Sequence, residues 1–155
     1  MSFTRRKFLN TAALSSLALA APNLWLPGAQ AATSLKADSP IKVGLLFSLT
    51  GSLAVPEEDS TLVMQYAIDE INAAGGVKGM PIEPVIVDAK SDFKVYSAKT
   101  KEMILRDKVI SIFGCYTSAS RKAILPTVMQ QDNLLFYPTC YEGAECTQNC
   151  IGTGP

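Results

Sequence analysis

The sequence of 155 residues contains no histidine. This absence excludes the serine and cysteine catalytic triads, general-base chemistry by histidine and most zinc sites, since all of them use an imidazole. Phosphate-binding loops are missing as well, because no Gly-x-Gly-x-x-Gly run follows the first predicted strand and no Walker A motif occurs. We therefore expect no enzyme, no cofactor and no metal site, although carboxylate or Ser-Lys chemistry is not excluded by composition.

The N-terminal apolar run is too short to cross a membrane. It covers residues 12–21 before prolines interrupt it, and a spanning helix needs about 20 apolar residues. Adjacent arginines in residues 4–9 form a twin-arginine export signature, and residues 29–31 form a small-x-small cleavage site. We expect residues 1–31 to be a twin-arginine-type signal peptide, cleaved near Ala31, and the mature protein to be periplasmic. An uncleaved anchor and export by the Sec route are the alternatives.

Charge of neither sign dominates the chain. The sequence has 14 basic and 14 acidic residues, and three of the basic ones lie in the predicted signal peptide. The mature chain would therefore keep 11 basic and 14 acidic residues. This mildly acidic balance argues against nucleic acid or an anionic membrane as a partner.

Four cysteines lie in the second half of the chain, at Cys115, Cys140, Cys146 and Cys150. In an oxidising compartment Cys146 can pair with Cys150, or Cys140 with either of them, and spacing does not decide between these pairings. Cys115 ends an apolar segment, so we expect it to be a small core residue.

Apolar strands alternate with amphipathic helices along the chain. Strands are predicted at residues 41–47, 82–88, 109–113 and 134–136, and helices at residues 59–74, 94–107 and 119–131. Met64, Ala67, Ile68 and Ile71 give the first helix one apolar stripe. This order predicts an α/β fold class, an open parallel sheet with helices on both faces, followed by an irregular tail.

Ligands of open parallel sheets bind beyond the carboxyl ends of the strands. Three loops are expected there, at residues 48–55, 116–120 and 137–143, and all are rich in hydroxyls, glycine or tyrosine. Free N–H groups at a helix start suit a carbonyl or carboxylate oxygen, although plain capping by Ser118 or Ser120 explains the same residues.

Tyrosines in the last of these loops suggest a pocket for a small uncharged polar molecule, because each ring supplies a flat wall with a polar tip. The alternative, a tyrosine packed under the loop, applies to Tyr141.

Several motifs resemble a known family. Residues 41–44, 49–51 and 67–77 resemble the opening of type I periplasmic binding proteins that serve branched-chain amino acid and amide transporters. Residues 113–123, with Tyr-Thr-Ser, and 137–143, with Tyr-Pro-Thr, resemble the urea and short-chain amide branch.

The resemblance implies a two-lobed solute receptor that closes on its ligand without chemistry and works with an ABC permease and ATPase. By the same resemblance, Tyr116, Ser118, Tyr137 and Thr139 would contact the ligand, and residues 32–155 would form a first lobe whose second lobe is absent. The expected function is substrate binding for an importer of urea or short-chain amides. A branched-chain amino acid-binding protein of the same fold, an amide-sensing regulator and an exported enzyme are the alternatives.

Overall fold

The structure is a computed structural model that describes residues 39–143, 145 and 147–154. The predicted signal peptide lies outside these residues. Within the described part of the chain, no helix is long and apolar enough to cross a membrane.

The described residues contain five strands and three helices. The strands are β1 (Ile41–Phe47), β2 (Ile82–Asp88), β3 (Ile112–Gly114), β4 (Leu135–Tyr137) and β5 (Cys150–Gly152). The helices are α1 (Ala54–Ala73), α2 (Phe93–Glu102), which continues as a π-helical turn (Met103–Asp107), and α3 (Ser118–Gln130).

The strands form one parallel sheet in the order β2-β1-β3-β4-β5. In β1 and β2 the register runs from Ile41 opposite Ile82 to Phe47 opposite Asp88. Strand β1 has a neighbour on both sides, and its residues from Val43 onward are buried. The predicted open parallel α/β sheet is confirmed.

Side chains of β1 alternate between two cores, as the period of a strand requires. Val43, Leu45 and Phe47 cluster with Ile68 of α1 on one face. Leu46 points to the other face, where the larger core contains side chains of α2 and α3. Helices therefore cover both faces, as predicted.

Capping side chains set the helix starts. Asp92 accepts hydrogen bonds from the backbone N–H groups of Lys94 and Val95 at the start of α2. Helix α1 begins at Ala54 rather than at residue 59 as predicted. Pro56 is tolerated there because the N–H groups of a first turn have no intrahelical partner.

Two strand predictions were displaced and one strand was missed. The ladder of β3 begins at Ile112 instead of residue 109, and β4 is shifted one residue towards the C-terminus. Strand β5 lies in the segment predicted to be irregular. It has no apolar run of its own, and its strand conformation depends on pairing with β4.

The end of α2 is fitted closely to β1. The π-helical turn ends at Asp107 and is capped by Lys108, which adopts a left-handed conformation with φ of 60°. Met103, at the start of this turn, is fully buried. A Cβ atom at Gly44 would lie 2.6 Å from the methyl carbon of Met103, so the thioether occupies space that a side chain on β1 would need.

Helix α1 covers only part of its face of the sheet. The predicted stripe of α1 borders a groove of about 370 Å³, with Ile68 buried. Phe113 and Phe136 line the same groove, and their rings stack with centroids 4.7 Å apart. The groove is almost wholly apolar, with Ser111 its one polar residue.

Gly114 gives a direct test of the strand packing. A Cβ atom at Gly114 would lie 2.2 Å from the carbonyl oxygen of Leu46, so Gly114→Ala must push β3 away from β1. We expect this variant to lose about 3 kcal/mol of unfolding free energy, measured by urea denaturation.

Gly152→Ala is the matched control at another strand end. A Cβ atom there would meet only a ring carbon of Tyr141, at 3.9 Å. Its stability should stay within about 0.5 kcal/mol of the parent. Equal stability of the two variants would contradict the close approach of β3 to β1.

Candidate functional site

A cleft of about 380 Å³ opens where the carboxyl ends of β3 and β4 meet the start of α3. All four residues predicted to contact a ligand line this cleft: Tyr116, Ser118, Tyr137 and Thr139. The structure therefore brings the predicted set together at the predicted edge of the sheet. Thr117, Cys140 and Glu142 complete the lining.

The main-chain carbonyl of Tyr116 organises the floor of the cleft. It accepts one hydrogen bond from the Tyr137 hydroxyl at 2.9 Å and one from the Thr139 hydroxyl at 2.8 Å. These protons tie β4 to the turn after β3. A ligand can therefore meet the two hydroxyls as acceptors, through their remaining lone pairs.

The structure buries a different tyrosine from the one that the sequence suggested, which was Tyr141. Tyr137 is only 1% exposed, whereas Tyr116 is 39% and Tyr141 41% exposed. The packed tyrosine of this loop is thus Tyr137 rather than Tyr141. Tyr116 presents the accessible aromatic surface of the predicted set.

Thr117 caps α3. Its hydroxyl accepts the backbone N–H of Ser120 at 3.1 Å, and its own N–H donates to the Ser120 hydroxyl at 3.2 Å. Capping by Ser118 was the wrong alternative, while Ser120 takes part from the third helical position. The Ser118 hydroxyl instead donates to the Glu142 carboxylate at 3.2 Å, across the cleft lining.

A buried arginine lies beside the cleft and was not anticipated. The Arg121 guanidinium sits between the rings of Tyr137 and Tyr141, at 4.6 and 4.7 Å from their centroids. It donates to the carbonyl of Glu142 and, at 3.0 Å, to the Glu145 carboxylate. A sequence signal existed, because residue 121 shares the helical spacing of the buried positions Ile124, Leu125 and Val128.

The cleft combines donors with one carboxylate. The backbone at the start of α3 offers hydrogen-bond donors and the positive end of a helix, whereas the Ser118 hydroxyl, whose proton goes to Glu142, offers an oxygen acceptor. Glu142 is the charged side chain in the cleft lining formed by the described residues. Such a site suits a small solute that carries an oxygen acceptor and an N–H group.

The loop after β1 is held by internal bonds, although it was expected to face a ligand. Asp88 accepts from the backbone of Leu49 at 2.9 Å and from the Thr50 hydroxyl at 2.7 Å. Burial works against ionisation, but these hydrogen bonds hold the pKa of Asp88 below its usual value. Residues of this loop are absent from the lining of the cleft.

A buried carboxyl group, also missed in the sequence, fixes the same loop. Glu57 in the first turn of α1 accepts from the Tyr96 hydroxyl and from the backbone N–H of Ser48 through one oxygen. The other oxygen has no partner among the described residues. Burial raises the pKa of Glu57 above 4.5, against the hydrogen bonds from Tyr96 and Ser48.

The cysteines form no disulfide among the described residues, where Cys115, Cys140 and Cys150 are free thiols. Cys146 lies outside those residues. Cys115 is fully buried, as predicted for a core residue, and burial raises the pKa of its thiol. No cluster of potential metal ligands occurs in the part of the chain that the structure describes.

Comparison with known proteins agrees with this architecture. A family profile described as "Periplasmic binding protein domain" matches residues 41–155. The chain belongs to this family. Its members are solute-binding proteins of ABC transporters and are generally non-enzymatic, and membership implies a periplasmic location.

Relatives of this periplasmic binding protein have names that refer to branched-chain amino acids. "Leu/Ile/Val-binding protein homolog 8" of Brucella abortus is 37% identical over 81 residues, which are 51% of this chain and 19% of that protein. The chain thus spans about a fifth of the length of the curated relatives it matches.

Solved structures show the same likeness. The branched-chain amino acid transporter substrate binding protein LivJ from Streptococcus pneumoniae, in complex with isoleucine, is 34% identical with a TM-score of 0.63. The match covers 64% of this chain and 29% of LivJ. An ABC transporter substrate-binding protein from Sphaerobacter thermophilus is 27% identical with a TM-score of 0.59, covering 64% and 26% of the two chains.

Glu57→Gln tests the buried carboxyl group. A raised pKa in the folded state means that the folded protein holds this proton more tightly than the unfolded chain. Its contribution to stability is therefore full below pH 4.5 and is lost as pH rises through the folded pKa. We expect the parent to lose more unfolding free energy than Glu57→Gln between about pH 4 and about pH 8.

The measurement is urea unfolding across that pH series, and the difference between the two profiles isolates Glu57 from the other carboxyl groups. Glu58→Gln, at the exposed neighbouring position, is the matched control and should keep the parent's profile. Parallel profiles for the parent and Glu57→Gln would contradict the assigned direction.

Proposed function

We propose that this chain supplies a solute-binding wall of the substrate-binding component of an ABC importer. The observation that carries the proposal is the cleft that joins Tyr116, Ser118, Tyr137 and Thr139 at the carboxyl edge of the sheet, in a chain of this family. An ABC permease and its ATPase are the proposed partners.

An aliphatic amino acid is the first candidate solute. The names of the Brucella and Streptococcus relatives favour a branched-chain amino acid. The charges of the cleft are compatible with a zwitterion. Its carboxylate fits the N–H groups at the start of α3, and its ammonium group fits the Glu142 carboxylate and the oxygen of the Ser118 hydroxyl.

Urea or a short-chain amide is the second candidate. The observation that favours it is the pair of tyrosines and the threonine in the cleft, arranged around the carbonyl of Tyr116. Hydroxyl acceptors suit the NH₂ groups of a neutral amide, whose oxygen fits the donors of α3. Such a solute has no charged group to offer Glu142, and the presence of an ammonium group therefore separates the two candidates.

The proposed mechanism is binding without chemical change. A solute held against this wall is desolvated on one side, and full desolvation requires closure of an opposing surface over it. We therefore expect weak, fast-exchanging binding by the 155-residue chain, with dissociation constants of about 1 mM, because affinity depends on how completely the site encloses its ligand.

Titration of the purified 155-residue chain, observed by ¹H–¹⁵N NMR, tests the proposal at this affinity. Isoleucine, leucine, urea and acetamide are added in separate series. We expect saturable shifts confined to residues 116–120 and 137–143, caused by isoleucine and leucine if the first candidate is right and by the amides if the second is right. Shifts for none of the four solutes at about 50 mM would contradict the proposal.

Ser118→Ala tests the contact at the start of α3. The variant removes a cleft hydroxyl but leaves the capping pair Thr117–Ser120 intact. We expect about a tenfold loss of affinity, the size of one lost hydrogen bond to a charged or strongly polar group. Ser97→Ala on α2, outside the cleft lining, is the matched control and should bind as the parent does. Equal affinity of both variants would remove Ser118 from the site.

A further inference from the structure

We propose that Arg121 is a positioning residue that holds the loop after β4 against α3 and thereby places the Glu142 carboxylate in the cleft. Its solute-binding consequence rests on the function proposed above, whereas its effect on the loop does not.

The side chain of Arg121 connects structural elements that share no backbone pairing. It rises from the first turn of α3 and is fully buried. The guanidinium lies over the ring of Tyr137 at the end of β4 and over the ring of Tyr141 in the loop. A planar cation between two aromatic faces fixes the distance between the helix and the loop.

Hydrogen bonds extend this clamp to the cleft lining. The guanidinium donates to the main-chain carbonyl of Glu142, which fixes the backbone from which that carboxylate projects. The carboxylate then accepts from Ser118, one helical turn before Arg121 on the same helix. Arg121 thus determines where the charge of the cleft lies, although it is absent from the lining itself.

Charge compensation does not account for the residue. Glu145 accepts from Arg121 at 3.0 Å, but the exposed amine of Lys122 also contacts it, at 3.2 Å. Lys122 could therefore balance this carboxylate alone. What Lys122 does not provide is a planar group inside the aromatic pair, bonded to the Glu142 carbonyl.

Stability is also a poor reason for a charge at this position. Burying a guanidinium carries a desolvation cost, and replacing a buried ion pair by apolar residues is often neutral or stabilising. The cost is incompletely offset here, because Nε of Arg121 is buried with no partner among the described residues. Arg121 contacts three residues of the cleft lining: it lies over the ring of Tyr137, donates to the Glu142 carbonyl and donates to the Ser118 hydroxyl at 3.5 Å. A polar group that is expensive to bury and makes these contacts is better explained by placement of that cleft.

Backbone ¹⁵N relaxation of the full chain without solute tests the positioning role. In the parent, order parameters of residues 139–143 should be near 0.85, the value for a rigid backbone. We expect Arg121→Lys and Arg121→Met to lower them below about 0.6, while β1 stays rigid. Lys122→Met, which removes only the exposed contact to Glu145, is the control and should keep the loop ordered.

The lysine variant separates positioning from charge. If Arg121 served only to balance Glu145, Arg121→Lys would retain the order of the parent. An ordered loop in Arg121→Lys would therefore overturn the proposal. If Arg121→Met does not fold, Tyr141→Leu provides the second test, because it removes one exposed ring of the stack. Its loop should also lose order, and an unchanged loop in Tyr141→Leu would overturn the proposal as well.

Solute titration gives the second readout. For whichever solute shifts the parent, we expect Arg121→Lys to bind at least tenfold more weakly, with Lys122→Met unchanged. Equal affinity of Arg121→Lys and the parent would overturn the role in binding. If no solute shifts the parent, the proposed function fails, and the relaxation data alone decide whether Arg121 positions the loop.

Discussion

The parallel pairing of β1 with both of its neighbours is the constraint on which the rest of the structure depends. It places β1 in the interior of the sheet, where helices cover both faces and alternate side chains enter different cores, with Leu45 beneath α1 and Leu46 beneath α2 and α3. It also aligns the carboxyl ends of the strands along one edge. This alignment determines where the cleft lies, and the sequence of the loops determines which side chains line it.

Much of this arrangement was predictable because it depends on local pattern. Runs of apolar residues gave β1 and β2 with their observed bounds. The order of elements placed the loops at residues 116–120 and 137–143 at one edge of the sheet, and the family resemblance selected Tyr116, Ser118, Tyr137 and Thr139 within them. Strand β5 was not predictable in this way, since its three residues have no pattern outside their pairing with β4.

The hydrogen bonds within the cleft could not be predicted from the sequence, for a different reason. Whether Tyr137 faces solvent or the interior depends on a partner 21 residues away, the carbonyl of Tyr116, and no spacing rule encodes that bond. The loop after β1 shows the same dependence. Its polar residues suggested a ligand, but the backbone N–H groups of Ser48 and Leu49 are already bonded to Glu57 in the next helix and to Asp88, 39 residues away from Leu49.

Gly44 and Met103 lie far apart in the chain yet share one small volume between β1 and the π-helical turn. The thioether of Met103 fills the space that a side chain at position 44 would occupy. Neither site is therefore free to change alone, since a larger residue on β1 would collide and a smaller one at position 103 would leave a void. Paired exchange, Gly44→Ala with Met103 shortened, is the route by which related chains can alter this contact, and the two positions should covary among them.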